Sequence, residues 1–303
     1  MQLIIFGGLT GGILFVVLRG GFGIVGYLNH LSFTQIVSMT PADFARPENS
    51  RLTKELLVVQ FFVFVLPSLV FAYLADPRPL HYAGLKAPQK RSFLLIALIT
   101  IIVAYLSVEF LVMLDEAIVH ILPVSIQKWV ISGEDKANDQ LENILLMKGP
   151  KDLLIMLFLV GMLPAIGEEL FFRGILQKLF IQIFKKAWPG IIFTGFLFSA
   201  IHMQFMGFFP RMALGIVLGA LYWYTGSLYA SMLGHFVFNA ISIIFVYLKV
   251  ANLDSKASYS LGFSAVGIVS IVGVVFLLRY LSKKSTTDYA IEFPGYTDEI
   301  PGG

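Results

Sequence analysis

The sequence predicts an all-α, polytopic membrane protein of about eight transmembrane helices. Three observations carry that expectation. Hydrophobic residues make up 57% of the 303 and charged residues only 14%, against roughly 25% charged in a soluble chain, and mean hydropathy is +0.81. Apolar runs recur that reach about 18–20 residues, the length needed to cross a bilayer core. The runs are continuous, whereas the strands of a membrane barrel alternate apolar and polar residues.

The runs fall at 3–28, 55–75, 93–114, 152–176, 189–206, 208–224, 228–249 and 260–280. The first begins "MQLIIFGG", without a basic flank or a cleavage site, so it reads as a retained span rather than a signal peptide. The loop 115–151 is longer and acidic, and its "QKWVISGEDKANDQLENILL" reads as a surface helix. Gly149–Pro150 resets the chain before the fourth run. A basic turn, "QKLFIQIFKKAWPG", joins the fourth run to the fifth, and only "TGS" joins the sixth to the seventh. The end, "KKSTTDYAIEFPGYTDEIPGG", is polar and rich in Pro and Gly. The organisation expected is one transmembrane domain over 1–280, with its motif-bearing core at 150–250, and a flexible tail over 281–303.

Charge and cysteine content narrow the function classes. A net charge of +3 is too small to imply nucleic acid, and without Cys there is no disulfide, thiol nucleophile or thiolate metal site. The partner implied by composition is the lipid bilayer. An even number of spans puts both termini on one side. The basic clusters "DPRPLHYAGLKAPQKR", "KLFIQIFKK" and "RYLSKK" make that side the cytoplasm by the positive-inside rule. The protein is thus expected to be a multi-pass integral protein of the plasma (inner) membrane with cytoplasmic termini.

An ionisable side chain in hydrocarbon costs roughly 2.5–3.5 kcal/mol on the insertion scale, so such residues mark function. In the runs after residue 150 they are Glu168, Glu169, Arg173, His202 and His235, joined by the amide of Asn239. Glu109 and Arg19 are exceptions that fit a membrane interface. With about 1.5 Å of rise per residue, measured from the basic-turn side, Glu168 lies ~15 Å deep, His202 ~20 Å, His235 ~12 Å and Asn239 ~18 Å. Three helices bring polar groups to one layer. Glu169 and Arg173 stand at i and i+4 and can pair, as do His235 and Asn239 as two donors. Glu168 is turned about 100° from Glu169 and has no helical cation, which leaves it the freer proton acceptor. Pro164 and Gly167 predict a kink that opens the backbone there.

Each residue also has a purely structural reading. Glu169–Arg173 can be a packing ion pair, a lone membrane His a hydrogen-bonded packing residue, and Asn239 interhelical glue. Phe198, one turn before His202, packs on the imidazole, and Gly215 and Gly219 fit close helix approach. The shared depth and the unpaired Glu168 favour one buried site. HExxH, GxSxG and the Walker loop are all missing, and "GFGIVG" at 21–26 follows no strand.

"EELFFR", "FSAIH" and "HFVFN" fit EExxxR, FxxxH and HxxxN in that order on successive membrane helices. The segment 150–250 thereby resembles the CAAX-protease and bacteriocin-processing (CPBP, abortive-infection) family, whose best-known branch is the Rce-type CAAX prenyl endopeptidases. The resemblance implies an intramembrane glutamate endopeptidase of eight helices acting on a membrane-associated protein or peptide. Carried over by motif position, Glu168 and His202 activate water, and Glu169 and Arg173 organise the site, with Glu169 near the chemistry. His235 and Asn239 form the oxyanion hole, and Phe198 supports His202. No cofactor is implied. The alternative is a zinc site of Glu168, Glu169, His202 and His235. A proton-coupled transporter predicts two related halves with broken helices, which the sequence lacks, and a non-catalytic scaffold or immunity factor predicts eroded motifs.

Overall fold

The computed structural model describes residues 1–44, 46–248, 261–289 and 293. The principal helices are α1 (Gln2–Leu28), α2 (Ser50–Ala75), α3 (Ser92–Tyr105), α4 (Val108–Ile121), α5 (Val124–Ile144), α6 (Pro150–Phe184), α7 (Ala187–Ala200), α8 (Phe208–Thr225), α9 (Leu228–Tyr247) and α10 (Leu261–Lys284). Short helical turns fill the connections, among them Phe33–Val37 and Pro79–Tyr82. The protein is all-α and polytopic. Among the described residues, five helices are long and apolar enough to cross a membrane: α1, α2, α6, α9 and α10. The bent pair α3–α4 raises the number to six if it is one span. The expected count of eight also needs α7, which has only 14 residues, and α8.

The expected third run is broken, with α3 and α4 meeting at 45° across Leu106–Ser107. No Pro or Gly marks the place. The turn tightens there, with Ser107 N–H donating to Ala104 O at 3.0 Å. The Ser107 hydroxyl donates to the same carbonyl at 2.7 Å, and the Ser270 hydroxyl of α10 donates to Val103 O. Hydroxyls that occupy helical carbonyls compete with the ladder and bend it.

The surface helix expected in 115–151 is α5. Its inward side follows the amphipathic spacing Val130, Glu134, Leu141. Asn143 pins its end to the Phe44 and Arg46 carbonyls at 2.9 and 3.0 Å.

In α6 the expected kink at Pro164 takes the form of two widened π-turns, Leu157–Met162 and Leu170–Leu176, with regular α-helix from Leu163 to Glu169 between them. Pro164 has no N–H to return to the Val160 carbonyl one turn earlier. That carbonyl instead accepts from Asn239 Nδ2 of α9 at 3.3 Å. Such insertions often mark functional segments.

Helices α7 and α8 touch backbone to backbone. A Cβ on Gly215 would stand 2.8 Å from Gly195 Cα, and one on Gly195 would stand 3.0 Å from Ile216 N. The close approach expected at Gly215 and Gly219 is therefore present. It also exposes α8 carbonyls to α6, where Arg173 Nη2 donates to Gly215 O at 3.0 Å and Gln177 Nε2 to Gly219 O at 3.1 Å. The two bonds lie one turn apart on both helices and fix their register.

Most of the 281–303 tail lies outside the described residues, as do the expected ends of the last two runs at 249 and 260. Of the tail residues described, Tyr289 stacks on Trp223 with centroids 4.2 Å apart, and Phe293 is buried.

Candidate functional site

Helix α6 carries both glutamates inside the bundle, and they differ in surroundings. Glu169 is fully buried, and its Oε1 accepts twice, from Arg173 Nη1 at 2.7 Å and from His235 Nδ1 at 2.9 Å. Arg173 is also fully buried, and its guanidinium lies 4.6 Å from the Phe198 ring centroid. The i,i+4 ion pair expected from the sequence is thus present, joined by an α9 residue that spacing alone did not assign to it. Neither bond reaches Glu168. Glu168 instead lines a cavity of about 290 Å³ with His202, His235, Asn239 and Phe198, and Glu169 is absent from its wall.

The cavity is built from several helices. Pro164 and Glu168 come from α6, Leu214 and Arg211 from α8, His235 and Asn239 from α9, and Leu141 from α5 forms a further side. Its remaining walls are mostly apolar.

His202 departs from the expected placement. Helix α7 ends at Ala200, and His202 stands in the turn beyond it. Its Nδ1 lies 2.9 Å from Phe198 O. A carbonyl only accepts, so Nδ1 carries the proton, and Nε2 of the neutral ring is left as an acceptor. Phe198 packs edge-on against both imidazoles, with centroids 5.5 Å from His202 and 5.6 Å from His235. Phe198 thus touches both rings from α7.

Two further polar groups escaped the sequence reading. Arg211, inside the apolar run 208–224, lines the same cavity. A search of that run for ionisable residues is enough to find it. Asp115, expected only as part of an acidic loop, is fully buried and accepts the Phe209 N–H at 3.2 Å, capping the start of α8. No pattern within its own segment announces that contact.

The zinc alternative can be tested on the donor set. Among the described residues, no group of three or more His, Asp or Glu side chains is placed to hold a metal ion. The Glu169 oxygen nearest His235 is taken by a guanidinium, which opposes a cation. The described residues do not fit a zinc site.

A helical membrane bundle that gathers paired glutamates from α6, a histidine from the turn after α7, and a histidine and an asparagine from α9 defines a class of site. Comparison with known proteins shows what this segment resembles. Residues 150–241 match the model described as Type II CAAX prenyl endopeptidase Rce1-like. That segment contains all three motifs, and with it the chain carries a CAAX-protease-like domain within its helical bundle. Over 84 residues the chain is also 30% identical to the Bacillus subtilis (strain 168) protein named "Uncharacterized protein YpbD". The match covers 26% of this chain and 40% of that protein. No solved structure matches.

Proposed function

We propose that the protein is an intramembrane endopeptidase that hydrolyses a peptide bond of a membrane-associated protein or peptide. The observation that carries the reading is the shared cavity, whose wall includes Glu168, His202, His235 and Asn239 from three separate motifs. Glu168, free of the Arg173 pairing, accepts a proton from a water held between it and His202 Nε2. The hydroxide so formed adds to the scissile carbonyl, and Glu168 then returns the proton to the departing amine. Water exclusion makes a carboxylate a better acceptor for that task.

The tetrahedral oxyanion faces His235 and Asn239. Asn239 has two N–H groups, and the bond to Val160 O occupies one. His235 donates its Nδ1 proton to Glu169, so it offers Nε2–H to an oxyanion only as the imidazolium. Glu169 therefore acts through His235, and Arg173 through Glu169. The membrane arrangement that fits is eight crossings, with α3–α4 as one and α7 and α8 as short ones, and with both termini in the cytoplasm of a plasma (inner) membrane.

The test compares protein termini in membranes carrying wild type or Glu168→Gln. At least one new N- or C-terminus should appear with wild type and vanish with the variant. Identical sets of termini from equal amounts of folded protein would refute the reading.

A further inference from the structure

We propose that Arg211 is a positioning residue that clamps the turn 201–207 and thereby holds His202 against the cavity; this rests on the endopeptidase reading. The turn needs a clamp. It contains Met203 at φ 54° and Gly207 at φ 80°, and a left-handed conformation is unfavourable for a side chain such as methionine's. His202 sits inside this turn, and its ring is tied back to α7 through one residue, Phe198, whose carbonyl bonds Nδ1 and whose ring packs edge-on against the imidazole.

Arg211 supplies what the turn lacks. Its Nη1 donates to Gln204 Oε1 at 3.1 Å, and its Nη2 donates to Gln204 O at 2.9 Å and Met206 O at 3.0 Å. One planar fork therefore fixes two backbone carbonyls and a side chain of the turn, which the single ammonium of a lysine cannot reproduce. The carboxylates of Glu134 on α5 and Asp115 on α4 lie near enough to attract the guanidinium through their charge. Asp115 in turn caps α8 at Phe209. The clamp thus joins the His202 turn to α4, α5 and α8 at the cavity wall. It is separate from the Glu169–Arg173–His235 cluster, whose hydrogen bonds do not involve it.

The test uses the full chain in detergent micelles and reads two quantities in wild type and Arg211→Gln. Amide hydrogen exchange in 201–207 should quicken by about tenfold or more, because charge-assisted bonds that hold the turn are lost. On a peptide substrate identified from the terminus comparison, kcat should fall with KM changed by less than about twofold, the pattern of an interaction made for the transition state. If Arg211→Gln does not fold, Gln204→Ala removes one arm of the clamp and should give a smaller change in the same direction on both readouts. Unchanged exchange overturns the clamp. Faster exchange with unchanged kcat overturns the positioning role, and a loss confined to KM overturns it by making Arg211 a substrate contact. If wild type shows no turnover on any peptide, the endopeptidase reading fails, and exchange still decides whether Arg211 holds the turn.

Discussion

Replacing Arg173 with methionine should be among the most damaging single changes in the protein, and replacing Glu169 as well should repair much of the damage. Arg173 is fully buried, and it donates to Glu169 at 2.7 Å and to Gly215 O at 3.0 Å. Methionine keeps much of the volume and removes the charge. Glu169 then stays in the interior with only His235 on Oε1, and breaking one side of a buried pair costs about 3–5 kcal/mol. The Gly215 carbonyl loses its side-chain donor, with about 1–3 kcal/mol at stake if no other group replaces it. The sum approaches the roughly 5–15 kcal/mol that holds a typical domain together. Glu169→Gln with Arg173→Met removes both charges, so the unpaired-charge part of the cost disappears. Unfolding free energies in mixed micelles, measured for both single variants and the double variant, give the coupling directly. A coupling of about 2 kcal/mol or more is expected. Losses that add within about 0.5 kcal/mol would show that the two charges do not depend on each other.

Three further outcomes follow from the same geometry. His235→Ala should lower kcat by about 10²–10³, the scale of one lost oxyanion donor, while steady-state kinetics still detect residual turnover. Exhaustive chelation should leave the rate unchanged, because no metal-ligand group is gathered among the described residues; activity that is lost on chelation and restored by added zinc would overturn the metal-free reading. Gly215→Ala should destabilise the fold by about 1–3 kcal/mol in the same unfolding assay, the usual cost of overpacking, because the new Cβ would stand 2.8 Å from Gly195 Cα.

The parts of the site that were legible in the sequence depend on spacing within one helix. The Glu169–Arg173 pair is such a case, and so is the common side of His235 and Asn239, both of which reach the cavity. What was not legible depends on which helix lies beside which. Nothing local says that His235 bonds Glu169 across the bundle, or that Asn239 satisfies the carbonyl that Pro164 leaves open. The break at Leu106–Ser107 is similar, since one hydroxyl behind it comes from α10. The end of α7 before His202 was a different miss. "HMQFMG" contains a polar residue and a glycine that takes φ 80°, and these are stop signals that the apolar surroundings obscured. The number of crossings was hard to read for a related reason. Helices as short as α7 are judged by what covers them, and hydropathy alone does not report that.

The EELFFR motif, two carboxylates and a guanidinium in an apolar helix, makes sense once the charges are counted over the cluster and not by residue. Two glutamates bring two negative charges into the bundle, and Arg173 offsets one. An uncompensated buried charge is expensive, so an ionised Glu168, which the proposed water-activating step requires, needs a second cation nearby. In the proposed mechanism His235 is that cation, and its Nδ1 lies 2.9 Å from Glu169 Oε1, which is also paired to Arg173. The protonated ring is also the form that donates from Nε2 to an oxyanion. The charge state that makes Glu168 a base therefore favours the one that makes His235 a donor, and the cluster is neutral when both hold. Glu169 never has to touch the substrate for this. It carries the link between Arg173 and His235 from outside the cavity, which is the reason, in the proposed mechanism, for a second glutamate beside Glu168.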